Sequence, residues 1–301
     1  MEKEAQDIFL ENISNQDPLA GMLPKSIDMI PDPVSTPSYM ETLDFEKNFP
    51  YNEWRIWMGQ NWKLSVHISF LYIMGIFLGQ KWMKGKQPYK LDNLLRIWNL
   101  LLAAFSLAGF LRSIPEVAHL LHRPNGFYRI SCSRDDYNVA SAYWSFIGTL
   151  SKVAELGDTA FLVLRKRPVM FLHWYHHATV MLYTWYTYED NDPCHRWFIV
   201  MNYFVHTIMY TYYALRAMGF RLPRSVSMLI TSLQIGQMIG GAFFNIHGFV
   251  MLSQGVPCSR KLHNIKFALL MYMSYLLLFA HFFYTSYLTP KRKTSKHPHS
   301  H

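Results

Sequence analysis

The sequence is short of charge, of acid and of cysteine. Only 16% of its 301 residues are charged, against about 25% in an average globular domain. Half are hydrophobic and 16% are aromatic. Acids number 20 against 29 basic residues, a net charge of +9. That balance does not signal nucleic acid, because the basic residues form no continuous face. They stand in short clusters between apolar runs, which is a membrane pattern. Near the N-terminus no apolar core marks a signal peptide. The first forty residues are polar, acidic and broken by proline, and composition gives them as a disordered extension. No solenoid-type repeat is visible.

What is present is a set of apolar runs of about 20 residues, each long enough to cross a bilayer as a helix. Seven are expected, near 64–82, 94–113, 140–164, 169–188, 197–217, 226–251 and 265–288. The fold class is therefore an all-α integral membrane protein. The expected organisation is a luminal acidic extension (1–42), a seven-helix domain (43–290) and a basic cytosolic tail (291–301). Orientation follows from short-loop lysine and arginine. One set of loops carries "QKWMKGKQPYK", "RKRP", "RAMGFRLPR" and "PKRKTSK"; the other holds Glu116, Asp135, Asp136, Glu189, Asp190 and Asp192. The basic set is placed in the cytosol. The C-terminus is then cytosolic and, with seven spans, the N-terminus luminal. Asn12 in "NIS" becomes a glycosylation candidate on that side. All three cysteines fall in luminal loops, where one pair can form; Cys132 and Cys258 are the candidates, with Cys194 left over.

Several polar side chains stand where lipid would penalise them. An ionisable residue at a span centre costs roughly 2.5–3.5 kcal/mol on insertion scales. "SKVAELGDT" puts Lys152, Glu155 and Asp158 on one helix face. They must pair or line a wet cavity, and a structural ion pair is the plain alternative. "NYFVHTIMYTYY" brings Asn202, His206 and Tyr210 to one stripe, and "TSLQIGQM" does the same for Gln234 and Gln237. Interhelical hydrogen bonding is the plain alternative for the glutamines. "FLHWYHHATVMLYTWY" opens with His173, His176 and His177 at i, i+3, i+4. With these span directions, all four clusters meet towards the cytosolic side.

Three imidazoles on one helix face allow a metal site, a structural role, or nucleophile and base chemistry. There is no second HxxHH or HxxxH box, "HLLH" at 119–122 lies on the luminal side, and carboxylate ligands are few. A nucleophilic imidazole suits acyl transfer, since an acyl-imidazole stays activated towards a second nucleophile. Because every cysteine is luminal, a thiol is not placed to do that work. No cofactor is expected. A seven-helix receptor or transporter and a metal-dependent lipid oxidase remain as alternatives.

"KVAELGDT", "HWYHH", "NYFVHTIMYTYY" and "TSLQIGQ", in this order, resemble the four boxes of the ELO fatty acid elongases. The resemblance runs from "LDFEKNF" at 43–49 to the basic tail. Gly157, Trp174 and Pro168 are similar to the branch that extends saturated and monounsaturated chains, and "FEKNF" and "NWKLS" resemble its type-six and type-three members. The tail "KHPHSH" lacks the retrieval lysines of many relatives. The resemblance implies an endoplasmic reticulum protein with six helices around a closed-ended acyl tunnel. It implies condensation of a long-chain acyl-CoA with malonyl-CoA to 3-oxoacyl-CoA, CoA and CO2 through an acyl-histidine. It further implies His176 as nucleophile, His206 as second catalytic imidazole, and His173 and His177 in support. Lys152, Glu155, Asp158, Asn202 and Gln237 would line the site. Chemistry adds Tyr210 and Gln234 there, and Lys166, Arg167 and Arg216 as candidates for CoA phosphates. Expected partners are membrane lipid, the two CoA thioesters, other enzymes of the elongation cycle and a second copy of the chain.

Overall fold

A computed structural model describes residues 32–289. Asn12, most of the extension and the tail 291–301 lie outside the described residues. The described part is helical, and its single β-bridge joins Val34 to Asn138. The helices are α1 (Asp44–Lys47), α2 (Tyr51–Asn61), α3 (Lys63–Met83), α4 (Asp92–His122), α5 (Gly126–Cys132), α6 (Val139–Glu155), α7 (Gly157–Leu164), α8 (Phe171–Thr187), α9 (His195–Ala217), α10 (Arg224–Ser253) and α11 (Leu262–Phe283). A π-turn over Tyr284–Leu288 prolongs α11.

Each of the seven apolar runs is helical. Four of them, α3, α4, α10 and α11 with its π-turn, are long and apolar enough to cross a membrane by length and composition. Their outer faces confirm the solvent they need. Leu270 and Leu277 on α11 expose 71% and 69% of their surface, and Phe70 and Leu71 on α3 expose 64% and 67%. Contiguous apolar surface on this scale belongs against lipid, and the chain is a multi-pass membrane protein. Two boundaries depart from the sequence reading. The second run continues through Pro115 to His122, because its last turns bury Val117 and Leu120 and present Glu116 to Arg196 at 3.2 Å. The third run is two helices, interrupted at Leu156.

Packing partners run α4–α6–α8–α11–α10–α9 and back to α4, a closed circuit of six helices. The α4–α9 seam is the most extensive. It is close because Gly109 on α4 leaves room for the Tyr203 ring, from which a Cβ would lie 2.5 Å; on α6, Gly148 makes room for the Tyr203 hydroxyl in the same way. Helix α3 packs on α7 and α8.

The two ends of the bundle differ in charge. At one end the basic loops are laced together: Lys166 Nζ donates to the carbonyls of Lys84 and Lys86, Arg165 pairs with Asp92, and Arg96 donates to Ala217 O. At the other end the acids are matched by arginine and lysine: Asp192 by Arg260 at 2.9 Å, Asp190 by Lys261, Asp136 by Arg123. A Cys132–Cys258 disulfide ties α5 to the loop after α10 there, and Cys194 is a buried free thiol.

Composition assigns residues 33–42 to the loose extension, but they are fastened to this second end. Val34 exchanges backbone hydrogen bonds with Tyr137 and Val139, Thr42 donates to Ser35 O, and Tyr39 stacks on His119. The anchor is Glu46 on α1. Its buried carboxylate accepts from Arg112 (2.6 and 2.9 Å), the Trp144 indole (3.0 Å) and the Leu43 N–H (2.9 Å). Burial alone would raise this carboxyl, but the Arg112, Leu43 and Trp144 donors outweigh it and hold it below its ordinary value. A depressed carboxyl stabilises the fold above the unfolded pKa of about 4.3, and the gain is lost as pH falls through its own lower value. Thermal unfolding in detergent should therefore show a stability loss below about pH 4 that Glu46→Gln largely abolishes. At pH 7 that variant should be less stable than wild type by roughly 1–3 kcal/mol, the cost of weakening a charge-assisted cluster.

Candidate active site

The site is assembled from α6, α7, α8 and α9, at the end of the bundle that carries the basic loops. Its centre is an ion pair. Lys152 Nζ lies 2.7 Å from Glu155 Oε1, and both side chains are buried. Ser151 Oγ also donates to Glu155 Oε1, at 3.0 Å. The remaining reach of the ammonium goes to Asn202 Oδ1 on α9, at 2.8 Å. This contact fixes the Asn202 amide: its oxygen faces the lysine, so its Nδ2 donates to His206 Nε2 at 3.1 Å. A ring nitrogen that accepts carries no proton, so neutral His206 is protonated at Nδ1. Nδ1 faces Glu155 Oε1 at 3.8 Å. One buried lysine thus sets an imidazole tautomer through an amide.

Asp158 is held apart from that chain. The helix break at Leu156 turns it outward to α4 and α9, where it accepts from Trp98 Nε1 (2.6 Å) and Tyr210 Oη (2.8 Å). Gly157 makes this possible. A Cβ there would lie 2.9 Å from Trp98 Cζ2, so only glycine admits the indole. The Tyr210 ring stands edge-on to His206 at 5.4 Å between centroids.

The three histidines of α8 occupy its first two turns. His173 Nε2 is 2.8 Å from Thr159 Oγ1, which in turn meets Tyr72 Oη at 2.7 Å. His177 is buried, its ring lies tilted against His173 at 4.6 Å between centroids, and its Nδ1 has no hydrogen-bond partner among the described residues. His176 is only partly buried. Its ring lies 4.9 Å from Tyr275 and within electrostatic reach of His206, Lys152 and Glu155. Tyr275 is itself fixed by Thr179, at 2.6 Å. His176 is thus supported by α11 through Tyr275. The glutamines of α10 stand outside this network: Gln234 Nε2 contacts Met209 Sδ at 3.4 Å and Gln237 is partly buried. Among the described residues no three His, Cys, Asp or Glu side chains are grouped as a metal ion would require.

Trp98, Tyr72, Thr179 and Tyr275 were not singled out from the sequence. Each sits in an apolar run where tyrosine and tryptophan ordinarily mean packing, and nothing local marks its polar end as used.

Removing one partner of a buried ion pair costs about 3–5 kcal/mol, whereas replacing both can be near neutral. Lys152→Met should therefore destabilise by that amount in denaturant or thermal unfolding, and adding Glu155→Leu should recover much of it. Gly157→Val should cost about 1–3 kcal/mol by overpacking against Trp98, read by the same unfolding assay.

The model of the family described as ELO: GNS1/SUR4 matches residues 57–295. The chain is 44% identical over 259 residues to very long chain fatty acid elongase 6 of Drosophila melanogaster, covering 85% of this chain and 82% of that protein. It is 44% identical over 258 residues to very long chain fatty acid elongase 6 of Homo sapiens, covering 85% and 97%. Human very long chain fatty acid elongase 3 is 40% identical over 250 residues, covering 81% and 92%. A family match over most of the chain, joined to relatives aligned along nearly their whole length, makes this chain a member of the ELO family.

Proposed function

We propose that the chain is a 3-oxoacyl-CoA synthase of fatty acid elongation, an acyltransferase that joins a long-chain acyl-CoA to malonyl-CoA. The names of its relatives support elongation. The observation that carries the chemistry is that a partly buried imidazole, His176, lies within electrostatic reach of a tautomer-fixed one, His206, at one end of a closed helical circuit. No thiol competes for the role: two cysteines are in a disulfide and the third is buried beside Asp192 in the opposite end group.

In the first half-reaction the His176 imidazole attacks the thioester carbonyl. A C–N bond forms, the C–S bond breaks, and CoA thiolate leaves and takes a proton. In the second, malonyl-CoA loses CO2 and its enolate carbon attacks the acyl carbon. The C–N bond breaks and the neutral imidazole is restored. The products are 3-oxoacyl-CoA, CoA and CO2. His206 is suited to proton traffic at the leaving thiolate, since its Nδ1 proton is backed by the Glu155 carboxylate. His173 and His177 support the box, His173 through Thr159 and the two rings through their tilted contact. Amide and hydroxyl donors such as Asn202, Gln237 and Tyr210 could hold the developing oxyanion, but Tyr210 and Asn202 are committed elsewhere, to Asp158 and to His206. They act as positioning residues. Lys166 likewise spends its ammonium on two carbonyls, which leaves Arg167 as the better candidate for a CoA phosphate.

The same reading makes all seven apolar runs spans, puts the basic end in the cytosol and the disulfide end in the lumen of the endoplasmic reticulum, and lets the circuit of six helices hold the acyl chain. Support comes from the separation of charge between the two ends.

The test is intact-protein mass spectrometry after incubation with palmitoyl-CoA alone. A palmitoyl adduct is expected on wild type, mapped to His176 and absent from His176→Ala. Condensation with malonyl-CoA but no adduct on wild type would remove the covalent step. No condensation would remove the synthase assignment.

A further inference from the structure

The surface between α9 and α10 holds a cleft of about 320 Å³, lined by Ile208, Leu215, Leu222, Val226 and Ile230 among others. The two helices are joined at one end by the Trp197 ring, which packs on Phe244 at 4.7 Å beside Gly240, and further along by Gln234 Nε2 on Met209 Sδ at 3.4 Å. The cleft lies towards the basic end, where Gly219, at a φ of +95°, turns the chain between them. Two threonines also face the cleft, Thr207 and Thr211, but their hydroxyls donate back to Tyr203 O and Thr207 O, both at 2.7 Å. The walls are therefore apolar to an occupant. A space roughly ten times the ~30 Å³ share of one water on a lipid-facing surface admits an alkyl chain.

The mouth of the cleft is cationic and uncompensated. Arg216 lies one turn beyond the cleft residue Tyr212, and Arg221 immediately precedes Leu222. Both are exposed. The neighbouring arginine differs: Arg224 donates to the carbonyls of Ser286 and Tyr287, at 2.8 and 3.0 Å. Nor can nearby sequence supply a counter-charge, because Asp192 is the last acidic residue of the chain and every residue from 193 to 301 is basic or neutral. Arginine pairs with phosphate through two parallel hydrogen bonds, and basic pockets between membrane helices select anionic headgroups.

We propose that this cleft is a binding site for one anionic phospholipid, with an acyl chain between α9 and α10 and its phosphate-bearing headgroup on Arg216 and Arg221. The proposal rests on the membrane placement given above and not on the acyl-transfer chemistry. Purified, delipidated full-length protein would be incubated with phosphatidylserine or phosphatidylcholine of identical acyl chains and examined by native mass spectrometry. Wild type is expected to retain one phosphatidylserine at least about tenfold over phosphatidylcholine, about 1.4 kcal/mol. Arg216→Gln/Arg221→Gln should lose that preference, and Val226→Trp, which fills the cleft, should lose retention of both lipids. Equal retention of the two lipids by wild type overturns the proposal, as does an unchanged preference in the arginine variant. Retention of palmitoyl-CoA in place of phosphatidylserine at these arginines overturns it too. Measuring the His176 adduct in the same samples separates the two proposals, since either can fail while the other stands.

Discussion

A lysine ammonium buried among apolar helices has to be neutralised where it stands. This constraint organises the interior. Lys152 takes Glu155 from its own helix one turn on, and a serine and an asparagine complete the set. Isolated charges in low dielectric are far too costly to leave unpaired, so Lys152 is held in place within α6, and its hydrogen bond to Asn202 ties that fixed position to α9. That rigidity passes to the imidazole: Asn202 cannot flip without turning its amide nitrogen to the ammonium, and His206 therefore keeps one tautomer. An apolar pair would pack the two helices as well. It would not orient a histidine.

The fold was legible in outline and the site in part, for different physical reasons. Apolar runs of bilayer length announce helices wherever they occur, and all seven are found helical. Their ends were harder. Pro115 reads as a stop but sits within α4, where burial of the turns beyond it keeps the helix going. The break at Leu156 has no proline; it serves the Trp98–Asp158 hydrogen bond, a contact across 60 residues. Residues 33–42 looked like solvated tail because a single β-bridge and a polar turn have no periodicity of their own; what holds them lies at α4 and the start of α6.

Among the site residues, those spaced at three or four positions on one helix could be grouped from sequence, and the ion pair and the histidine box are found where that spacing puts them. The partners that cross between helices could not. Tyr275, Thr179 and Tyr72 are ordinary core residues until the bundle brings them to the imidazoles. Asp158 shows the converse: it shares a face with Lys152 and Glu155 on a continuous helix, and the break turns it to other partners. Gln234 and Gln237 share a stripe on α10 without joining the hydrogen-bonded chain.

The Cys132–Cys258 bridge spans 126 residues of chain. On a ribosome, Cys258 emerges only after α10 has been made, so the clasp closes late in synthesis. Until then α5 is held to the bundle by non-covalent contacts alone. Covalent closure requires that α10 carry Cys258 to Cys132 at the end of α5, so the bridge can form only on a chain whose α10 stands in that register.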